Sequence, residues 1–388
     1  MCFYKTKEDC IVVLREKYKG ITLVALVITI VILLILAGIS ISTLTNTGIF
    51  QKAKDAKKAS ENAEKEQKQT LSEYEKELNK YTAQELTDDK INKVLSETEN
   101  IVLKDANSNI FTLPAGFKVV VNDDTGNAKT VDKGIVIEDA TDAATKGSQF
   151  VWVPVGTITK ADGTQAEIKL NRYTFDEDGI AKAQNESIVD IYYSETESKG
   201  NTVAKSISDF KLSVTTNGGY YIGRYEARTI NPRSDKGDAL AQITEKGTDQ
   251  VYNFVTQIQA ASQAKNMYNS SNFTSDLMNS YAWDTAILFL QNCGTNKKYS
   301  RQKGLSASAL QTGTNTLTEI NKIDKQCNAY DMAGNLREWT TETSDVSANP
   351  CVVRGGNYCD NDFYTGYRDY GSISVSNINI AFRPILYL

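Results

Sequence analysis

Residues 21–41 read ITLVALVITIVILLILAGISI, an apolar run with no charge inside it and none after it until Lys52. At a helical rise of about 1.5 Å per residue such a run reaches about 30 Å, the thickness of a bilayer's hydrocarbon core. It predicts one transmembrane helix over residues 21–44, a length and hydrophobicity that a buried core helix would not need. Lys5, Lys7, Arg15, Lys17 and Lys19 precede it against Glu8, Asp9 and Glu16, so the short N-terminal side carries the positive excess expected of a cytoplasmic flank. The remainder is then expected outside: a single-pass membrane protein with an extracellular C-terminal domain.

Composition narrows the chemistry. The 388 residues suffice for a sizeable core, and the net charge of −5, with no Lys/Arg-dense face, argues against a nucleic-acid partner. The chain has no His, which removes Ser-His-Asp and Cys-His catalysis and every imidazole metal site. Cys293, Cys327, Cys351 and Cys359 fall on the side expected to be extracellular, where disulfides persist if the surroundings oxidise, and four cysteines allow three pairings.

Beyond the apolar run, residues 45–86 are rich in Ala, Lys and Glu and predict a helical stalk. Ala53, Ala56, Ala63, Leu71, Tyr74, Leu78 and Tyr81 recur at steps near three or four, a stripe suited to packing on the domain, on a neighbouring subunit, or on neither. Near Asn100 the pattern changes to short β-type runs broken by Asn, Asp and Gly. Strands are expected at Ile101–Leu103, Ile110–Leu113, Phe117–Val121, Gly134–Ile137 and Phe150–Val155. Helices are expected over Val251–Tyr268 and Leu277–Asn292, and surface loops over Lys199–Phe210 and Asn231–Gly237. All five Pro and all three Trp lie past this boundary, so residues 100–388 form one mixed domain.

The junction Lys19-Gly20-Ile21-Thr22-Leu23 resembles the class III signal of type IV prepilins. The resemblance implies residues 1–20 as a leader, a prepilin peptidase cutting after Gly20, methylation of Ile21, and pilin-like subunits as partners. Ala25 departs from the Glu that such pilins usually carry at the fifth mature position.

Four segments resemble the formylglycine-generating (sulfatase-modifying factor) family, a variant of the C-type lectin fold. They are Phe150-Val-Trp-Val-Pro-Val-Gly, Gly219-Tyr-Tyr-Ile-Gly-Arg-Tyr-Glu, Tyr330-Asp-Met-Ala-Gly-Asn-Leu-Arg-Glu-Trp-Thr, and Val353-Arg-Gly-Gly-Asn-Tyr with Ala381-Phe-Arg-Pro. The resemblance implies an α+β chain carrying a C-type-lectin-like domain. It also implies a calcium site at Asp331, Gly334, Leu336 and Glu338, two carboxylates and two carbonyls suited to a hard cation. The alternative for Glu338 is an ion pair with Arg354 or Arg383. The family's oxidase needs a cysteine pair that this chain lacks, having only Cys359 in the equivalent stretch, so catalysis is not expected.

Asn357–Ile380 reads NYCDNDFYTGYRDYGSISVSNINI and is dense in Tyr, Asn, Asp and Ser, residues that give contact area and adaptable hydrogen bonds. It lacks Lys, Glu, Gln, Met and Trp, and every residue type in it is reachable from an Asn codon by changing the two adenines. In this it resembles the variable region of proteins diversified by retroelements. The expected function is non-catalytic binding of an extracellular protein or glycan through Tyr358, Asp360, Asn361, Asp362, Phe363, Tyr364, Tyr367, Asp369 and Tyr370. A minor pilin or pseudopilin is the alternative, and a formylglycine-generating-type oxidase the second.

Overall fold

The computed structural model describes residues 28–34, 49–141, 144–184, 207–303, 324–344, 348–358 and 362–388. Of the apolar run, residues 28–34 are helical with exposed side chains; the rest, with Gly20 and Ile21, lies outside the described residues. Among the described residues no helix is long and apolar enough to cross a membrane. This corrects the expected N-terminal transmembrane helix, and with it the single-pass membrane location.

The chain divides into two compact units, 1–70 and 71–388. The Ala-, Lys- and Glu-rich segment is helix α1 (Ile49–Thr82). Its Lys57–Glu61 and Glu64–Lys68 pairs are exposed and contribute little each.

The second unit holds strands β1 (Ile101–Lys104), β2 (Ile110–Leu113), β3 (Phe117–Val120), β4 (Val136–Asp139) and β5 (Gln149–Pro154). Helix α2 (Ile207–Asn217) follows, then β6 (Gly219–Gly223), α3 (Gln257–Lys265), β7 (Thr274–Leu277) and α4 (Ser280–Cys293). The C-terminal part supplies β8 (Arg337–Thr343), β9 (Cys351–Arg354), β10 (Arg368–Gly371), β11 (Ile380–Phe382) and β12 (Pro384–Tyr387). A six-stranded antiparallel sheet runs β7-β12-β6-β5-β4-β3, and a four-stranded sheet runs β10-β9-β8-β11 with β8 and β11 parallel. The helices and largely antiparallel sheets of this unit make an α+β arrangement.

The segments Phe150–Val155 and Gly219–Gly223 become the neighbouring strands β5 and β6, with Trp152 opposite Tyr221. Both are apolar without alternation because both their faces are covered; every residue of β6 is buried. Trp152 meets the Tyr221 ring edge-on at 4.9 Å. Gly219 is required there: a Cβ would fall 2.3 Å from the Trp152 ring and 2.5 Å from the Val153 carbonyl oxygen.

Two expected helices are shorter than their apolar patterns suggested, because caps end them. Thr256 and Gln259 form a capping box for α3, and the Asn279 side chain accepts from the Ala282 N–H at 2.9 Å for α4. Val251 and Leu277, where the two helices were expected to begin, are the last residues of strands instead. Part of the expected loop Lys199–Phe210 is helix: α2 begins at Ile207, while 199–206 lie outside the described residues. Burial explains the difference, since Phe210 packs edge-on against Tyr220 at 5.3 Å and Tyr387 at 5.4 Å.

The chain passes from one sheet to the other across a single residue, Arg383, between β11 and β12. Its buried guanidinium donates to the Gly223 carbonyl at 2.8 Å, to the Tyr330 carbonyl at 2.9 Å and to Glu338 at 2.5 Å. One cation therefore ties β6, the short strand Ala329–Tyr330, and β8.

Candidate ligand-binding face

Between β9 and β10 the chain is held by its backbone. Thr365 and Gly366 donate their N–H groups to the Gln302 and Ser300 carbonyls at 3.0 and 2.9 Å. The Thr365 carbonyl accepts from the buried Trp283 indole at 3.0 Å, and the Tyr367 carbonyl from Arg354 Nε at 3.0 Å. With the main chain engaged inward, the side chains at 363, 364 and 367 are left half-exposed.

Those three rings form a cluster. Phe363 and Tyr367 lie 5.0 Å apart between centroids, and Tyr364 and Tyr367 meet edge-on at 5.3 Å. Arg301 stacks over Tyr364 at 3.8 Å and Arg337 over Phe363 at 4.8 Å, while Arg337 also pairs with Asp369. Tyr370 is exposed and Asp362 is exposed. Tyr358 is half-buried against the small cluster Val251, Leu336 and Ala381, and its N–H donates to the Asn335 carbonyl at 2.9 Å. Asp360, Asn361 and Cys359 lie outside the described residues. Sequence reasoning did not find Arg301 and Arg337, since no spacing rule links either to a ring brought beside it only by folding.

Beneath the face lies a buried ionic network that the sequence did not announce. Arg354 of β9 donates to Asp284 of α4 at 2.6 Å and to Glu342 of β8 at 3.2 Å. Arg368 of β10 reaches Asp284 at 2.5 Å and Glu342 at 2.8 Å, and Arg172 also pairs with Glu342. Burial alone would raise the Glu342 carboxyl, but Arg368, Arg354 and Arg172 together hold it below the usual range. Arg368 follows Tyr367 directly, so the ionic network and the aromatic cluster adjoin at the start of β10.

The residues expected to hold calcium, Asp331, Gly334, Leu336 and Glu338, are all buried as well. Glu338 is engaged by Arg383 at 2.5 Å, one of the two partners its sequence allowed. Asp331 is fully buried at φ +58°, and among the described residues neither of its carboxylate oxygens has a hydrogen-bond partner. Burial, then the charges of Glu226 and Asp324, push its carboxyl well above the usual range. The Leu336 N–H is taken by Glu226 at 2.9 Å. Asp331 thus keeps its carboxyl oxygens unengaged, while Glu338 is engaged by Arg383. Among the described residues no group of three or more acidic, Cys or His side chains is placed to bind a metal.

Cys293, Cys327 and Cys351 are free thiols, and burial pushes the Cys351 thiol up to about 12, far from a nucleophile's range. A concavity of about 450 Å³ lined by Phe117, Tyr268, Phe273 and Asp139 gathers none of the expected site residues.

The chain matches no family model and no curated protein. Among solved structures it is similar to Treponema denticola variable protein 1, at 13% identity over 63% of this chain and 97% of that one, with a TM-score of 0.33. It is also similar to PvdO from Pseudomonas aeruginosa, at 12% identity over 64% and 97%, TM-score 0.32. A third is the P3c variant of Major Tropism Determinant, at 13% identity over 75% and 81%, TM-score 0.29. Scores this low carry no argument about fold or activity.

Proposed function

We propose that this is a non-catalytic ligand-binding protein with a C-type-lectin-like domain, whose recognition face is the aromatic segment after β9. The observation that supports it is the half-exposed Phe363, Tyr364 and Tyr367 cluster, flanked by Arg301 and Arg337, on a backbone held by buried partners. Rigid aromatic rings beside arginines supply large contact area at low entropic cost, the composition of binding hot spots. The pairing of β5 with β6, and of β8 with both β9 and β11, supports the fold reading, since these strands carry the four segments on which the family resemblance rests. An oxidase is disfavoured by the missing cysteine pair.

The ligand is a protein or glycan surface, and retroelement diversification of the segment rests on its codon-restricted composition alone. Calcium at Asp331 remains part of the proposal, on the strength of its unpartnered carboxylate. The test is to probe arrayed glycans and arrayed cell-surface proteins with labelled wild-type chain and with Tyr364→Ala/Tyr367→Ala. Binding that drops at least tenfold in the variant is expected. Equal binding by both would overturn the assignment of this face.

A further inference from the structure

Away from that face, α1 carries four large apolar side chains in the open. Leu71, Tyr74, Leu78 and Tyr81 are 54, 73, 59 and 85% exposed. Scattered apolar residues are ordinary on a surface, but these follow one another at steps of three, four and three along a single helix. That is the a/d spacing of a coiled-coil seam, with leucines at a and tyrosines at d. The opposite flank of the same turns faces the domain: Ser72 is buried and its hydroxyl shares a hydrogen bond with that of Thr216 on α2. The sequence allowed the stripe to pack on the domain, on a neighbour or on neither, and the exposure of Leu71, Tyr74, Leu78 and Tyr81 excludes the first for these four.

We propose that this stripe is where a second copy of the chain docks, helix against helix and parallel. A seam of matching register is what an identical helix supplies, and charge selects the direction. With Leu71 and Leu78 at a, Glu75 falls at e and Glu77 at g. In a parallel pair Glu77 faces Thr82 of the second copy and Glu75 faces no acid, whereas an antiparallel pair sets Glu75 against Glu75. The preceding a and d positions are Glu64 and Gln67, so the seam starts at Leu71. The four side chains offer on the order of 500 Å² per copy, or about 1,000 Å² for a pair, the lower end for a specific interface. Association is therefore concentration-dependent.

Cysteine cross-linking in the full chain tests this directly. Leu78→Cys, at the seam, should give at least fivefold more covalent dimer under mild oxidation than the wild-type chain with its native cysteines. Glu73→Cys, on the flank of the same helix, should stay near the wild-type level. Equal yields for the two variants, or none above wild type, would overturn the docking surface. Dimer obtained only when Leu78→Cys is mixed with Tyr74→Cys would overturn the parallel direction. Tyr74→Glu/Leu78→Glu should lower the sedimentation mass while the circular dichroism spectrum stays that of the folded chain; an unchanged mass would also refute the proposal.

Discussion

Replacing Asp284 by asparagine removes one charge from the network beneath the face while keeping the shape of the side chain. The wild-type cluster sets three guanidiniums, Arg172, Arg354 and Arg368, against two carboxylates, Asp284 and Glu342, a net single positive charge. Asp284→Asn doubles it and leaves Arg354, which is fully buried, with Glu342 alone. Removing one partner of a buried pair costs about 3–5 kcal/mol, since the remaining charge cannot regain its hydration. With a urea dependence of about 3 kcal/mol per molar, the unfolding midpoint should fall by about 1–1.7 M. Hydrogen exchange should rise at the same time over residues 363–371, because Arg354 Nε no longer anchors the Tyr367 carbonyl as firmly. A midpoint within about 0.2 M of wild type, the range of ordinary surface substitutions, would refute the claim that these charges support the face.

Glu226 carries a pH prediction. Burial, then the Glu338 charge, raise its carboxyl to about 8. A raised carboxyl stabilises the fold fully below its unfolded value near 4.5 and loses that contribution as pH rises through the folded value. Wild-type stability should therefore fall between pH 5 and 8 by up to about 1.4 kcal/mol per unit, and melting curves of Glu226→Gln should show a shallower fall. Parallel profiles for the two proteins would count against it. Calcium at Asp331 would stabilise by about 2.7 kcal/mol at a hundredfold excess over Kd, so chelator should lower the melting temperature of wild type but not of Asp331→Asn. Indistinguishable wild-type curves with calcium and with chelator would remove calcium from the proposal.

What the sequence disclosed follows from what is local. Strand β5 was legible because Phe150–Val155 is a continuous apolar run between turns, whereas β6 was not among the expected strands and its segment Gly219–Gly223 stood out only through the family resemblance. The Arg383–Glu338 pair was among the alternatives because both residues sit in recognisable segments. Helix α2 was missed because its signal is only Phe210 and Val214 one turn apart, and the partners that bury them, such as Tyr387, are distant in sequence. The stacking of Arg301 on Tyr364 and the meeting of Asp284 with Arg354 and Arg368 join different elements, and no local rule encodes them. The apolar run 21–41 is the reverse case, a strong local signal for which the described structure supplies no spanning helix.

The central claim is that residues 362–370 form a display surface on a framework that folds without their side chains. Thermal melting of Tyr364→Ala/Tyr367→Ala against wild type tests it most directly. The rings touch each other and Arg301 but are only half-buried, so the double substitution should cost about 1 kcal/mol and lower the melting temperature by about 2–4 °C. Aromatic residues of a core cost about 3–5 kcal/mol each when cut to alanine. A double variant that melts 10 °C or more below wild type, or does not fold, would contradict the display surface and make this segment part of the packing.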